Sequence, residues 1–312
     1  MTKRLSSVNV ESTSENRLKF RETLFSAEGM KNYIGGVILY DETIKQKTSS
    51  GKTVPELIKS FGSIPGIKVD KGAKPLAGHP NETITEGLDG LRERLEEYAQ
   101  AGTKFTKWRA VISIANSTPS DYCIEANAHA LARFASLSQE AGLVPIVEPE
   151  VLMDGTHSID DCYKVTESVL TQVYDQLARS KVDLKGTLLK PNMVLSGKSA
   201  ENRAAPEEVA QATVSCFKNT VPDTVPGIVF LSGGQSDNEA TVNLDAINKY
   251  AIETGAPWEL SFSYGRGLQA APLNAWRGEK NNMAKAQSVF FQRAFVTSAA
   301  RNGAYSPSME AV

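Results

Sequence analysis

The feature that most constrains this chain's fold is a regular alternation running from one end to the other. Short runs rich in β-branched residues are each followed by a longer amphipathic run. The strand-like runs are Gly36 to Tyr40, Gly66 to Asp70, Lys107 to Ile114, Val144 to Glu148, Gly186 to Lys190, Gly227 to Leu231 and Glu259 to Ser263. The helix-like runs cover roughly 14–27, 88–101, 120–141, 158–179, 206–219, 236–254 and 280–301. In the fourth of these, Ile159, Cys162, Val169, Val173 and Leu177 share one face at mostly three- and four-residue spacings. Parallel strands need a long crossover, so strands alternating with helices imply βαβ units around a parallel sheet. Polar residues collect near the C-terminal ends of the strands: Asp41, Asp70, Glu148, Glu150, Lys190, Ser232 and Arg266. That distribution suits a TIM (β/α)8 barrel, whose chemistry sits at the C-terminal face of its strands. A chain of 312 residues fits one such domain, 1–312. About seven strands are countable where a closed barrel needs eight.

Charge and composition exclude several classes. A net charge of −2 gives no basic field for nucleic acid or a membrane surface, though local cationic clusters could hold small anions. No apolar run approaches the ~18 residues of a membrane span. The N-terminal Met1-Thr-Lys-Arg-Leu5 lacks the apolar core of a signal peptide. Cys123, Cys162 and Cys216 are widely spaced and form neither a CxxC pair nor a disulfide framework, which fits a reducing, cytoplasmic setting. His79, His129 and His157 have no metal-ligand spacing, so no metal or other cofactor is expected. The first strand is not followed by GxGxxG and there is no Walker A motif, so neither nucleotide fingerprint is supported.

Lys190 is the most informative single residue. It closes the apolar run Gly186-Thr-Leu-Leu-Lys190, and Pro191 follows at once. Burial disfavours the charged ammonium, and a neutral lysine amine attacks carbonyls to form a Schiff base. Taken alone, the stretch also fits a lysine reaching solvent from a strand end. Lys107-Trp108-Arg109 opens another strand, with Lys107 and Arg109 on one face; an inward and an outward pair fit the spacing equally. Val147-Glu148-Pro149-Glu150 puts two carboxylates on one side of an extended segment, and close carboxylates push one pKa up, as acid–base work requires. Two loop acids facing solvent are the plainer alternative. Ser232-Gly-Gly-Gln-Ser236 is a strand–turn–helix junction in which Ser236 and Glu239 fit a capping box. Its glycines would let backbone N–H groups approach a phosphate at the helix N-terminus, although an ordinary βα turn has the same composition. Gly265-Arg266 ends the next strand with a cation, so two neighbouring strand ends could share a phosphate site.

Together these segments resemble the class I, Schiff-base fructose-bisphosphate aldolase family over nearly the whole chain. The matching stretches are Gly35-Gly-Val-Ile-Leu39, Gly66-Ile-Lys-Val-Asp-Lys-Gly72, Gly87-Leu-Asp-Gly-Leu91, Lys107-Trp-Arg109, Val144-Pro-Ile-Val-Glu-Pro-Glu150, Leu188-Leu-Lys-Pro-Asn-Met193, Leu231-Ser-Gly-Gly-Gln-Ser236 and Phe262-Ser-Tyr-Gly-Arg266. The resemblance implies a lyase of glycolysis and gluconeogenesis that cleaves fructose 1,6-bisphosphate to dihydroxyacetone phosphate and glyceraldehyde 3-phosphate. By the same resemblance Lys190 attacks the ketone, Glu148 is the acid and base for the carbinolamine, and Glu150 supports the lysine pair. Lys107 depresses the Lys190 pKa, and Arg109 belongs to the substrate site. Ser232, Gly233, Gly265 and Arg266 match one phosphate site and Lys68 a cation near the other. The protonated imine is then the electron sink, so no metal is needed. The family further implies a cytoplasmic homotetramer, with Asp89 near a subunit contact.

The chain departs from the family pattern at both ends. The family carries a first barrel strand with an Ala-Asp-Glu-Ser-type ending before the segment matched by Thr2-Lys-Arg-Leu5. Its absence accounts for the seven strands and removes the aspartate that handles the C4 hydroxyl proton. The family's tail tyrosine has no counterpart after Tyr305-Ser-Pro307. An alternative therefore stands beside the enzyme: a catalytically impaired, truncated relative that binds sugar phosphates, or partners such as cytoskeletal filaments, without turnover.

Overall fold

The computed structural model describes residues 1–311. In chain order its strands are β1 (Gly36–Leu39), β2 (Ile64–Lys68), β3 (Gly72–Pro75), β4 (Thr83–Glu86), β5 (Phe105–Ile112), β6 (Val144–Val151), β7 (Leu188–Leu189), β8 (Gly227–Phe230) and β9 (Glu259–Phe262). Its helices are α1 (Thr2–Ser6), α2 (Ser14–Phe25), α3 (Asp41–Ile44), α4 (Val54–Ser60), α5 (Leu91–Gln100), α6 (Asp121–Glu140), α7 (Ile159–Arg179), α8 (Pro206–Thr220), α9 (Asp237–Glu253), α10 (Arg266–Trp276) and α11 (Met283–Arg301). Seven strands form one parallel sheet in the order β1-β2-β5-β6-β7-β8-β9, while β3 and β4 pair as a separate antiparallel hairpin. Residues of both outer strands, β1 and β9, line one cavity together with residues of β5 and β6, so the sheet is curled around it.

Local chemistry explains where the elements begin. Ser158 caps α7: its hydroxyl accepts from the Asp161 N–H, and the Asp161 carboxylate accepts in return from the Ser158 N–H. Thr53 and Glu56 do the same for α4. Behind the sheet, Trp108, Phe134, Phe217 and Phe230 are fully buried, with Trp108 stacked on Phe134 and Phe217 on Phe230. Cys123, Cys162 and Cys216 lie in α6, α7 and α8 as unpaired buried thiols, and burial pushes Cys123 up to about 11.

The structure departs from the sequence expectations at several elements. The β3–β4 hairpin, α3, α4 and α10 were not expected. The strand expected over 186–190 shrinks to Leu188–Leu189: Leu184–Gly186 form a 3-10 turn at its start, and at its end neither Pro149 of β6 nor Pro191 has an N–H to continue a ladder. The expected capping box at Ser236 is half formed. Ser236 Oγ accepts from the Glu239 N–H, but the Glu239 carboxylate pairs with Arg203 instead.

Gly66 fixes the spacing of β2 against β5. It lies opposite Phe105 in the ladder, and a Cβ at this position would fall well inside the van der Waals surface of the Phe105 ring. Gly66→Ala should therefore destabilise the protein by about 1–3 kcal/mol, the usual cost of overpacking. Adding Phe105→Ala should recover part of that loss. Denaturant titration measures both, and an unchanged midpoint for Gly66→Ala would show that the ring moves away freely.

Candidate active site

The chemistry-bearing strands β5, β6 and β7 are consecutive in the sheet. β6 is buried from Pro145 onward because helices cover its outer face and neighbouring strands flank both edges. Ladder register puts Arg109 of β5 opposite Glu148 of β6, and Lys190 follows β7 immediately. Alternation therefore aims Lys107, Arg109, Glu148, Glu150 and Lys190 at one cavity of ≈ 620 Å³, which all five line.

Glu148 sits at the centre. Its Oε2 lies 2.7 Å from Lys107 Nζ, and its Oε1 lies 3.1 Å from Lys190 Nζ. All three residues are more than nine-tenths buried. The Lys107 contact is ionic rather than a well-angled hydrogen bond. Burial alone would raise the Glu148 carboxyl, but the two ammonium groups outweigh it and hold the carboxyl below its ordinary value. The expectation that neighbouring carboxylates raise one another's pKa fails for Glu148, because cations from the strands on both sides reach it. Glu150 is engaged separately by the Arg109 guanidinium, and that pairing outweighs burial and raises Arg109. Burial lowers Lys190, the like charge of Lys107 pushes in the same direction, and Glu148 opposes both.

Asp70, just past β2, completes the network and was named from sequence only as a strand-end acid. Its carboxylate pairs with Lys68 and lies 3.9 Å from Lys107 Nζ. It also accepts from the backbone N–H groups of Arg109 at 3.2 Å and Gly72 at 3.1 Å. Lys68 lines the cavity with its ammonium 5.2 Å from the centre of the Tyr40 ring.

Another part of the cavity wall carries cations. Ser232, Gly233, Gly265 and Arg266 all line it, and Arg266 donates to the Gly233 carbonyl. The helix whose N-terminus opens on the cavity is α10, beginning at Arg266 after the N-cap Gly265. That corrects the expectation that Ser236 and the helix it caps would face the phosphate. Arg4 of α1 and Arg21 of α2 line the same cavity and were missed. Burial lowers Arg4, and the adjacent Arg266 charge adds to the effect. Nothing in the local sequence singles out either arginine; each is brought in by the docking of its helix. Asp41 points elsewhere, to Lys45 at 2.8 Å and the Tyr98 hydroxyl at 2.8 Å, and Asp89 is exposed before α5. Among the described residues no group of three or more His, Cys, Asp or Glu could hold a metal ion, and no helix is long and apolar enough to cross a membrane.

A curled parallel sheet with a buried lysine pair sharing a carboxylate at its C-terminal mouth has the make-up of a Schiff-base enzyme. The model of the family "Fructose-bisphosphate aldolase class-I" matches residues 1–312. A "Probable fructose-bisphosphate aldolase class 1" of Xanthomonas axonopodis pv. citri is 54% identical over 295 residues, covering 94% of this chain and 87% of the relative. "Fructose-bisphosphate aldolase C" of Macaca fascicularis is 51% identical, covering 99% of this chain and 85% of that one. The solved structure of fructose-bisphosphate aldolase from Plasmodium falciparum, in complex with TRAP and a small-molecule inhibitor, superposes with a TM-score of 0.95 at 46% identity, covering 98% of this chain and 88% of that chain. The chain belongs to the class I fructose-bisphosphate aldolase family, glycolytic lyases with the TIM-barrel fold that cleave fructose 1,6-bisphosphate reversibly through a Schiff base.

Removing the like charge at Lys107 should raise the Lys190 pKa, since that charge lowers it. The neutral amine is the attacking form and exists above the pKa. The pH midpoint for borohydride trapping of a ketone should therefore move upward in Lys107→Met, with slower trapping at neutral pH. A midpoint unchanged or moved downward would show that Lys107 does not repel Lys190.

Proposed function

We propose that Lys190 is the nucleophile of aldol cleavage in this chain and that Glu148 manages its protons. The observation that carries this is the buried Lys107–Glu148–Lys190 cluster at the cavity wall. Lys190 attacks the C2 ketone of fructose 1,6-bisphosphate, and the carbinolamine loses water with a proton passed through Glu148. Breaking the C3–C4 bond sends its electron pair into the protonated imine while the C4 hydroxyl loses a proton. Two carboxylates line the cavity among the described residues. Arg109 occupies Glu150, which leaves Glu148 as the acceptor within reach. Lys107 stabilises the negative charge that builds on the C4 oxygen as its proton leaves.

The substrate is anionic at both ends, and two groups of cations line the cavity. Ser232, Gly233, Gly265 and Arg266, with Arg4 beside them, suit one phosphate; Lys68 and Arg109 suit the other. Retention of the complete lysine–glutamate–lysine cluster favours turnover over the non-catalytic reading. The family also supports a homotetramer with Asp89 near a contact between subunits, and the names of relatives such as "Fructose-bisphosphate aldolase 4, cytosolic" of Arabidopsis thaliana support a cytoplasmic setting.

Incubation with dihydroxyacetone phosphate and borohydride should attach the triose to Lys190, as mapped by mass spectrometry. Lys190→Met should abolish the adduct and lower cleavage on the order of 10⁴-fold or more, the scale of losing a covalent nucleophile. Arg266→Ala should raise KM for the bisphosphate and leave binding of unphosphorylated fructose unchanged. An adduct on another lysine, with Lys190 unmodified, would overturn the assignment.

A further inference from the structure

Two prolines interrupt backbone ladders where the reaction would take place: Pro149 the one between β6 and β7, and Pro191, whose carbonyl accepts from the Leu231 N–H, the one between β7 and β8. β6 and β7 pair through Ile146 with Leu188 and Val147 with Leu189, and the Lys190 N–H donates to the Val147 carbonyl at 2.8 Å. That register sets Lys190 opposite Glu148. In a parallel ladder the returning bond would run from the N–H of residue 149 to the Lys190 carbonyl. Residue 149 is proline and has no N–H, so the bond cannot form. The next bond running in that same direction would go from the Val151 N–H to the backbone carbonyl of residue 192. Instead the Val151 N–H donates to the side-chain Oδ1 of Asn192 at 3.0 Å.

The Asn192 carboxamide is itself held firmly. Its Nδ2 donates to Thr166 Oγ1 of α7 at 3.1 Å and to the Met193 carbonyl at 3.1 Å. Asn192 is 4% exposed and Thr166 is 1% exposed. Residues 189–197 are all buried, although only Leu189 is in a strand. Side chains satisfy this backbone in place of a ladder. Val194 N–H donates to Thr213 Oγ1 at 3.0 Å, and Leu195 N–H approaches Cys162 Sγ at 3.4 Å. Within this set, the Asn192 bond is the one that crosses to the strand carrying Glu148 and Glu150.

We propose that Asn192 is a positioning residue for the reaction: its carboxamide replaces the β6–β7 ladder that Pro149 interrupts, and so fixes Glu148 against Lys190. The inference rests on Lys190 as nucleophile and Glu148 as its proton partner. Asn192 itself touches neither side chain and acts through the spacing of the two strand ends. Proton transfer and attack depend steeply on that spacing, whereas phosphate binding at Ser232, Gly233 and Arg266 does not.

The test compares the full chain with Asn192→Leu, which keeps the size and removes the amide, and Thr166→Val, which removes only the anchor of Nδ2. Steady-state cleavage of fructose 1,6-bisphosphate, the rate of borohydride-trapped adduct formation and thermal melting are measured on each. In Asn192→Leu, kcat and the trapping rate should fall about 10–100-fold at temperatures where the protein is fully folded, with KM within about twofold of wild type. Thr166→Val should show a smaller loss of the same kind, and it carries the test if Asn192→Leu does not fold. Wild-type kcat in a folded variant, or a lowered melting temperature with unchanged kcat, would reduce Asn192 to a purely structural role and overturn the proposal. A loss confined to KM would overturn it as well. Absence of a Lys190 adduct in the wild type would instead overturn the assignment of the nucleophile, and this inference with it.

Discussion

The site depends on one buried carboxylate shared by two buried ammonium groups. A single charge in that position would be strongly disfavoured, and removing one partner of a buried ion pair leaves an uncompensated charge costing about 3–5 kcal/mol. Glu148 therefore needs a cation, and two cations need Glu148 between them. The parallel order β5-β6-β7 meets this requirement directly, since Lys107 and Glu148 come from neighbouring strands and Lys190 directly follows the next one. Two lysines and one glutamate carry one excess positive charge if all are ionised. That excess falls most easily on the lysine whose neutral form is chemically useful. Burial and Lys107 both push Lys190 towards the neutral amine, while the contact with Glu148 keeps a proton acceptor 3.1 Å away.

The rest of the cavity separates binding from chemistry. The groups proposed to bind anions come from the turns after β8 and β9 and the start of α10, with Arg4 lining the same cavity, and Lys68 and Arg109 belong to β2 and β5. Asp70 links the two regions, pairing with Lys68 while facing Lys107. Held at both phosphates, a bisphosphate would present its carbon chain to the wall that carries Lys190 and Glu148. Positioning of this kind converts the attack into an intramolecular step and supplies much of the rate enhancement in such reactions.

The alternation of apolar strands and amphipathic helices made the fold class legible, because parallel strands buried on both faces leave continuous hydrophobic runs. Lys190 stood out locally, as a lysine closing an apolar run before a proline, but that stretch fits a solvent-reaching lysine as well; the other segments of the chain, matched together, pointed to its use. Elements whose pattern is weak were not legible. The hairpin strand Gly72–Pro75 is short and mostly exposed, and α10 carries Pro272 within it. The direction of the Glu148 shift was not legible either. The sequence places Glu150 two residues away, but the cations that decide the outcome arrive from neighbouring strands. Arg4, Arg21 and the bond from Asn192 to Val151 depend in the same way on tertiary approach, and no local pattern announces them.

The central claim is that Lys190 is held below the ordinary lysine range by burial and Lys107, against the opposing pull of Glu148. A ¹⁵N NMR titration of the Lys190 Nζ, in the wild type and in Glu148→Gln, tests it most directly. The account predicts a midpoint below that of ordinary lysines in the wild type and a lower one in Glu148→Gln, where the only opposing charge in contact is gone. An ordinary lysine midpoint in the wild type, or an upward shift in Glu148→Gln, would contradict it.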